Sequence, residues 1–225
     1  MTDDRRPLRA GDRAPDFTLP GINRDGAVRL DEFRGRSAVL IGLFRGLHCP
    51  FCRRQIVQLG SAQPRLRSAG VETVAVVNTP VERGRLYFRY RPTPVVLASD
   101  PDVLTHRAFG LPKIELVPEG VETRWPHRAT HAQLLAVPVN PTGELPQAVN
   151  VFEAMSTINA KEGFQATAAD EQIVAAHGTQ LAGQFLVDRD GVVRWAWLEA
   201  PERIADLARF PTDEDVWTAV RALAN

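Results

Sequence analysis

Cysteine is nearly absent from this sequence: of 225 residues only Cys49 and Cys52 carry a thiol. So few cysteines exclude a secreted disulfide scaffold, and in a reducing compartment a close pair reads as catalytic or metal-binding rather than structural. Net charge is also missing, with 27 basic residues against 27 acidic ones. That balance removes the bulk attraction on which nucleic-acid or anionic-membrane binding usually depends, so neither partner is expected. Lysine is confined to Lys113 and Lys161, an arginine bias that looks like codon usage and bears on no function. No apolar run approaches the roughly 18 residues of a membrane span. The opening Met1-Thr2-Asp3-Asp4-Arg5-Arg6 lacks the apolar core of a secretory leader, so the expectation is a soluble, cytoplasmic protein. No G-x-G-x-x-G or Walker pattern follows a strand, and nucleotide cofactors are not implied.

What is present is a chain with 44% hydrophobic and 24% charged residues, enough to bury a sizeable core in one elaborated domain spanning 1–225. Residues 16–20 and 27–30 flank a turn at Asn23-Arg24-Asp25-Gly26 and predict a small N-terminal hairpin. The continuous apolar run 38–44 predicts a central strand covered on both faces. A helix is expected from Pro50 to about Gly70, with Pro64 kinking or interrupting it. Strands at 72–78 and 94–98, a helix over 80–91 and a helix start at Ser99-Asp100-Pro101 continue a strand and helix alternation, the pattern of an α/β sheet with parallel strands. Residues 184–187 and 192–197, joined by Asp188-Arg189-Asp190-Gly191, predict a hairpin, and 213–223 an amphipathic helix with an acidic first turn. Between about 111 and 181 the alternation is lost, with Pro118, Pro126, Pro138, Pro141 and Pro146 punctuating the chain; this stretch reads as an insertion, with one helix near 150–160.

The cysteines fall at the junction between the central strand and the first long helix. With Pro50 as the first helical residue, Cys49 becomes the N-cap and Cys52 the third helical position. The Cys49 sulfur then sits where a capping oxygen would accept the amide hydrogens of Phe51 or Cys52. Such a thiol can fall from about 8.5 into the range of about 3.5–7.5, a nucleophile at neutral pH, with Cys52 one turn away to resolve a mixed disulfide. Arg45, Arg53 and Arg54 add positive charge, either solvated or steadying a thiolate or steering an anionic partner; Arg45, ending the strand, is the strongest candidate. His48 either tunes the pair or points away. A structural zinc site would need two further ligands that the five histidines supply only at long range, so no metal is expected. His127 and His131 have helical spacing, but Pro126 and the polar context place them on a loop or surface. The four tryptophans read as packing residues.

Three segments resemble the peroxiredoxin and alkyl hydroperoxide reductase (AhpC/TSA, redoxin) superfamily: Gly11-Asp12-Arg13-Ala14-Pro15-Asp16-Phe17-Thr18-Leu19-Pro20, Leu97 to Asp102 followed by Ala108-Phe109-Gly110-Leu111, and Phe185 to Gly191. Gln180 to Phe185 is similar to a segment of a peroxiredoxin-like branch. The resemblance implies a thioredoxin-like fold, a central mixed sheet flanked by helices, with the insertion before the last two strands. It also implies peroxide reduction through a Cys49/Cys52 dithiol cycle, an external thiol reductant such as thioredoxin or a low-molecular-weight thiol, no cofactor, and leaves a homodimer open. The family motif Pro-x-x-x-Thr-x-x-Cys, aligned on Cys52, puts Arg45 at the proline and Cys49 at the threonine; the resulting Cys-Pro-Phe-Cys is similar to glutaredoxin sites. The arginine that peroxiredoxins place before the penultimate strand falls at Ala182, and the cis-proline that thioredoxins place there is missing. Capping geometry nominates Cys49 as attacker, for disulfide exchange; the family alignment nominates Cys52, for peroxide. Thiol-disulfide exchange and a non-catalytic redox sensor that uses the insertion to bind a partner remain the alternatives.

Overall fold

The computed structural model describes residues 6–141 and 143–224; the opening Met1 to Arg5, on which the expectation of no leader partly rests, lies outside them. The apolar run becomes β3 (Ala38–Phe44), after a hairpin of β1 (Thr18–Pro20) and β2 (Ala27–Arg29). The chain continues through α1 (Pro50–Ser68), β4 (Val71–Val77), α2 (Val81–Arg89), β5 (Val96–Ser99) and α3 (Leu104–Ala108). Residues 111–181 hold two small two-stranded sheets, β6 (Glu115–Val117) with β7 (Arg128–Thr130) and β8 (Pro138–Val139) with β9 (Val149–Asn150). They also hold α4 (His131–Leu135), α5 (Val151–Lys161) and α6 (Ala168–His177). β10 (Gly183–Val187), β11 (Val193–Leu198) and α7 (Asp213–Arg221) complete the chain.

Five strands form the central sheet in the order β11-β10-β3-β4-β5. β3, β4 and β5 run parallel, while β10 is antiparallel to β3 and β11 to β10. The sheet is therefore mixed, because the two-strand hairpin at the C-terminal end needs no crossover helix. Side chains on β3 alternate between two cores, as a pleated strand requires. Leu40 and Phe44 pack with Ile56, Leu59 and Leu66 of α1 and Val216 and Val220 of α7. Val39, Ile41 and Leu43 pack with Phe17, Leu19 and Val28 of the hairpin and with Phe109. Coverage on both faces is why the run is apolar throughout. No helix among the described residues is long and apolar enough to cross a membrane.

Two helix expectations are corrected. α1 runs through Pro64 without a break; Pro64 is exposed, so water can satisfy the Gly60 carbonyl that proline leaves without an amide partner. The next helix does not begin at Pro101. The Asp100 carboxylate instead accepts from the amides of Leu104 and Thr105 at 3.1 and 2.7 Å, so Pro101 and Asp102 form a turn and α3 starts three residues later.

Candidate active site

At the C-terminal end of β3 the chain leaves the sheet through Gly46, whose carbonyl accepts the Cys49 amide at 3.0 Å. A side chain at residue 46 would place its Cβ 2.4 Å from the Asn78 carbonyl oxygen, so only glycine fits this turn. The Leu47 amide donates to the Thr79 hydroxyl at 3.1 Å, tying the loop to the end of β4. Proline then opens α1, with its missing N–H at a position where no intrahelical acceptor is available. Pro50 and Phe51 are both buried, Phe51 as part of the core cluster that packs around α1.

Cys49 is the N-cap, and its Sγ accepts the Cys52 amide at 3.3 Å. Both cysteines are reduced and enclosed, with 0% and 1% of their surfaces exposed. Burial alone would push the Cys49 thiol up. The Cys52 thiol that donates to it, the charge and hydrogen bond of Arg45 and the Cys52 amide together outweigh burial and bring it down to about 6. Cys52 moves the other way, pushed well above 9 by burial, by its hydrogen bond to the Cys49 sulfur and by that sulfur's negative charge. At neutral pH the two sulfurs are thus split into one thiolate, Cys49, and one thiol that keeps its proton, Cys52.

Arg45 is not solvated. Its guanidinium is buried and makes a two-pronged ion pair with Glu199, at 2.7 and 2.9 Å, and a third bond to the Gln180 carbonyl at 3.0 Å. The Glu199 carboxylate also accepts the Ala182 and Ala208 amides, each at 3.0 Å. Every strong acceptor direction of this buried carboxylate is therefore occupied, and the fork geometry fixes the arginine in the plane of the carboxylate. Sequence reasoning missed Glu199, which stands one residue after β11; a lone acidic residue after an apolar strand was the only signal. The Ala182 position, where the family arginine is absent, contributes an amide to the carboxylate that holds Arg45.

His48 is 6% exposed and neither ring nitrogen has a protein partner among the described residues. Burial, then the charge of Arg45, lower it to about 4, so it is neutral at pH 7. Arg53 is directed away from the sulfurs: it donates to the Leu47 carbonyl, to Asn159 at 2.8 Å and to Glu162, and lies over the Phe164 ring. Arg54 pairs with Glu162 and Glu144. Asn159 also donates to the His48 carbonyl at 3.1 Å. α5 and the turn after it therefore clamp the cysteine loop. Elsewhere, His127 and His131 are exposed, and His131 is the first residue of α4 while His127 precedes β7, so they share no helix. Trp125, Trp195, Trp197 and Trp217 pack against the core as expected.

A model of the AhpC/TSA family matches residues 10–196. The chain belongs to the AhpC/TSA family. Among curated relatives, this AhpC/TSA chain is 31% identical over 106 residues to "Peroxiredoxin Bcp" of Escherichia coli (strain K12), a match covering 47% of the chain and 66% of that protein. "Putative peroxiredoxin bcp" of Shigella flexneri matches with the same identity and coverage. The match thus spans just under two thirds of the length of these relatives. Solved structures show the fold to be thioredoxin-like. Peroxidoxin BcpB from Mycobacterium tuberculosis superposes with a TM-score of 0.56 at 14% identity, covering 96% of this chain and 97% of that one. The reduced 2-Cys peroxiredoxin of Plasmodium vivax gives 0.57 at 12% identity, with coverage of 96% and 97%. A putative thiol:disulfide interchange protein DsbE from Chlorobium tepidum gives 0.52 at 19%, with coverage of 96% and 98%.

Proposed function

We propose that this protein is a thiol peroxidase in which Cys49 attacks the peroxide and Cys52 resolves the product. One observation carries the reading: the Cys49 sulfur caps α1 and accepts the Cys52 amide, beside an arginine whose position is fixed by Glu199. The family alignment favours Cys52 as attacker; the opposite directions in which the two thiols are shifted favour Cys49.

In the first step the Cys49 thiolate attacks the terminal oxygen of R–O–O–H, the O–O bond breaks, and Cys49 becomes a sulfenic acid. The departing alkoxide takes a proton from Cys52, the neighbouring donor, and leaves as an alcohol. The Cys52 thiolate so formed attacks the Cys49 sulfur, closing the disulfide and expelling hydroxide. An external dithiol such as thioredoxin, or two low-molecular-weight thiols, returns both cysteines to the reduced state. Arg45 contributes positive charge near the reacting sulfur, while Pro50, Phe51, Arg53 and Asn159 hold the loop. The whole chain is taken as one domain, with 111–181 an insertion that encloses the site.

The test is peroxide consumption with a dithiol reductant by the wild-type, Cys49→Ser and Cys52→Ser proteins, alongside insulin disulfide reduction. Cys49→Ser is expected to abolish turnover, and Cys52→Ser to leave a single sulfenic acid on Cys49, detected by mass spectrometry. Equal turnover in all three proteins refutes the reading. Disulfide reduction without peroxide consumption assigns the same cysteines to thiol-disulfide exchange, a second reading favoured by Cys49 standing where peroxiredoxins carry their threonine.

A further inference from the structure

A cavity of about 490 Å³ opens where β3 begins, at Ala38, the end of that strand farthest from the cysteine loop. Its volume is that of a small-molecule site. Trp217, Val220 and Leu223, from α7 and the turn after it, form an apolar wall. Trp217 is half-buried, and the Arg65 guanidinium lies over its ring at 3.7 Å. Among the described residues, the charged lining consists of Arg36, Arg189, Arg221 and Asp188. The Gly35 amide donates to the Arg189 carbonyl at 2.8 Å, so the loops that carry Arg36 and Arg189 adjoin.

Which charge the cavity accepts follows from how its own charges are already paired. Asp188 is taken: it accepts the Asp190 and Val192 amides, each at 2.9 Å, and the Arg194 guanidinium at 2.5 Å. Arg221 is matched by Glu214 at 2.7 Å. Arg36 and Arg189 are exposed, and among the described residues neither side chain has a hydrogen bond or an ion pair, the neighbouring Asp190 included. α1 and α7 both end at this cavity, and a helix C-terminus carries about half a negative charge. The two ends together offset about one of the two unpaired guanidinia, which leaves about one positive charge for a ligand.

We propose that this cavity binds a flat aromatic carboxylate, its rings against Trp217, Val220 and Leu223 and its anionic head on Arg36 and Arg189. Both halves of the ligand are needed. The rings remove apolar surface from water, and the head gives the two guanidinia the planar, forked acceptor they lack. An aliphatic anion would leave the indole wall uncovered, and a neutral aromatic would leave the guanidinia unpaired. β3 spans about 20 Å between this end and the cysteine loop, so binding here neither blocks nor requires thiol chemistry, and the inference stands whatever bond Cys49 attacks.

Titration calorimetry with 2-naphthoate and with its neutral counterpart 2-naphthylmethanol measures what the charge contributes on one carbon frame. The indole N–H resonance of Trp217, assigned by its loss in Trp217→Phe, reports where the ligand sits. Both measurements are repeated on two variants. Arg36→Gln with Arg189→Gln removes two exposed charges that no described residue pairs, and Ala69→Trp fills the cavity from an exposed position on its rim. Naphthoate is expected to bind and to shift the Trp217 signal, and the alcohol to bind about tenfold more weakly or worse. The double variant should lose about tenfold or more in naphthoate affinity, the scale of one lost hydrogen bond to a charged group. Ala69→Trp should weaken both ligands. No binding at millimolar naphthoate, an alcohol that binds as well as the acid, an unmoved Trp217 signal, or a naphthoate affinity that neither variant lowers overturns the proposal.

Discussion

Replacing Arg45 should move the first thiolate of this protein from about pH 6 toward alkaline pH. With a thiol at about 6, thiolate outnumbers thiol about tenfold at pH 7; at the ordinary 9.0 the ratio is about one to a hundred. The thiolate population therefore differs about 90-fold between the two cases. Reactivity changes much less, because a Brønsted slope of about 0.4–0.5 makes the more acidic thiolate about 20-fold less nucleophilic, leaving a net gain of about fourfold. Rates are consequently a weak reporter and titration a strong one. Ultraviolet absorbance of the thiolate against pH reads the ionisation without requiring a reagent to reach two buried sulfurs. Arg45→Met alone would leave the Glu199 carboxylate buried without its cation, a loss of about 3–5 kcal/mol that endangers the fold. The informative protein is therefore Arg45→Met with Glu199→Gln, in which the amide oxygen still serves the Ala182 or Ala208 amide. Wild type is expected to show a one-thiolate step near pH 6 and a second only at strongly alkaline pH. The double variant, keeping the Cys52 contribution but not that of Arg45, should take its first step at a higher pH than wild type, and Cys49→Ser should lose the low step altogether. A double variant that still titrates near pH 6, or a wild type with no step below neutral pH, would show that Arg45 does not acidify Cys49.

Gly46→Ala is expected to destabilise the protein by about 1–3 kcal/mol in urea denaturation, because the new methyl meets the Asn78 carbonyl and the loop must shift; an unchanged midpoint would contradict that geometry. His48, held near 4 when folded against 6.5 when free, refuses a proton that the unfolded chain accepts. Stability is complete above pH 6.5 and falls as pH drops toward 4, by at most about 3 kcal/mol; His48→Phe should flatten that slope, and an identical slope in the variant would refute the assignment. Asn159→Ala removes the bond to the His48 carbonyl and one partner of Arg53. Faster alkylation of Cys49 at fixed pH is the expected result, and an unchanged rate would mean that α5 does not govern access.

Much of this architecture was legible in local sequence. The run 38–44 coincides with β3 because a strand buried on both faces has no polar residue to blur its ends. Pro50 placed Cys49 at the N-cap because proline is tolerated where an amide is not needed. What failed locally failed for tertiary reasons. Pro64 does not end α1, since packing of Ile56, Leu59 and Leu66 on the sheet outweighs one missing bond on the solvent side. The helix after β5 starts late because a buried carboxylate reaches four residues forward. Arg45 gave no local sign of whether it faced solvent or Glu199, as the two lie 154 residues apart. Residues 111–181 resisted reading because their short strands pair only with one another and their apolar positions line a chamber rather than one face of a sheet.

The distance along the chain between Arg45 and Glu199 orders events during synthesis. A ribosome that has reached α5 has already delivered both cysteines, yet the carbonyl of Gln180 and the carboxylate of Glu199 that steer the guanidinium do not exist. At that stage the Cys52 contribution to Cys49 acidity lies within three residues of it, whereas the placement of Arg45 still awaits residues 180–199. The share of Cys49 acidity that Arg45 supplies is fixed only when the last hairpin closes against β3 and brings Glu199 to the guanidinium.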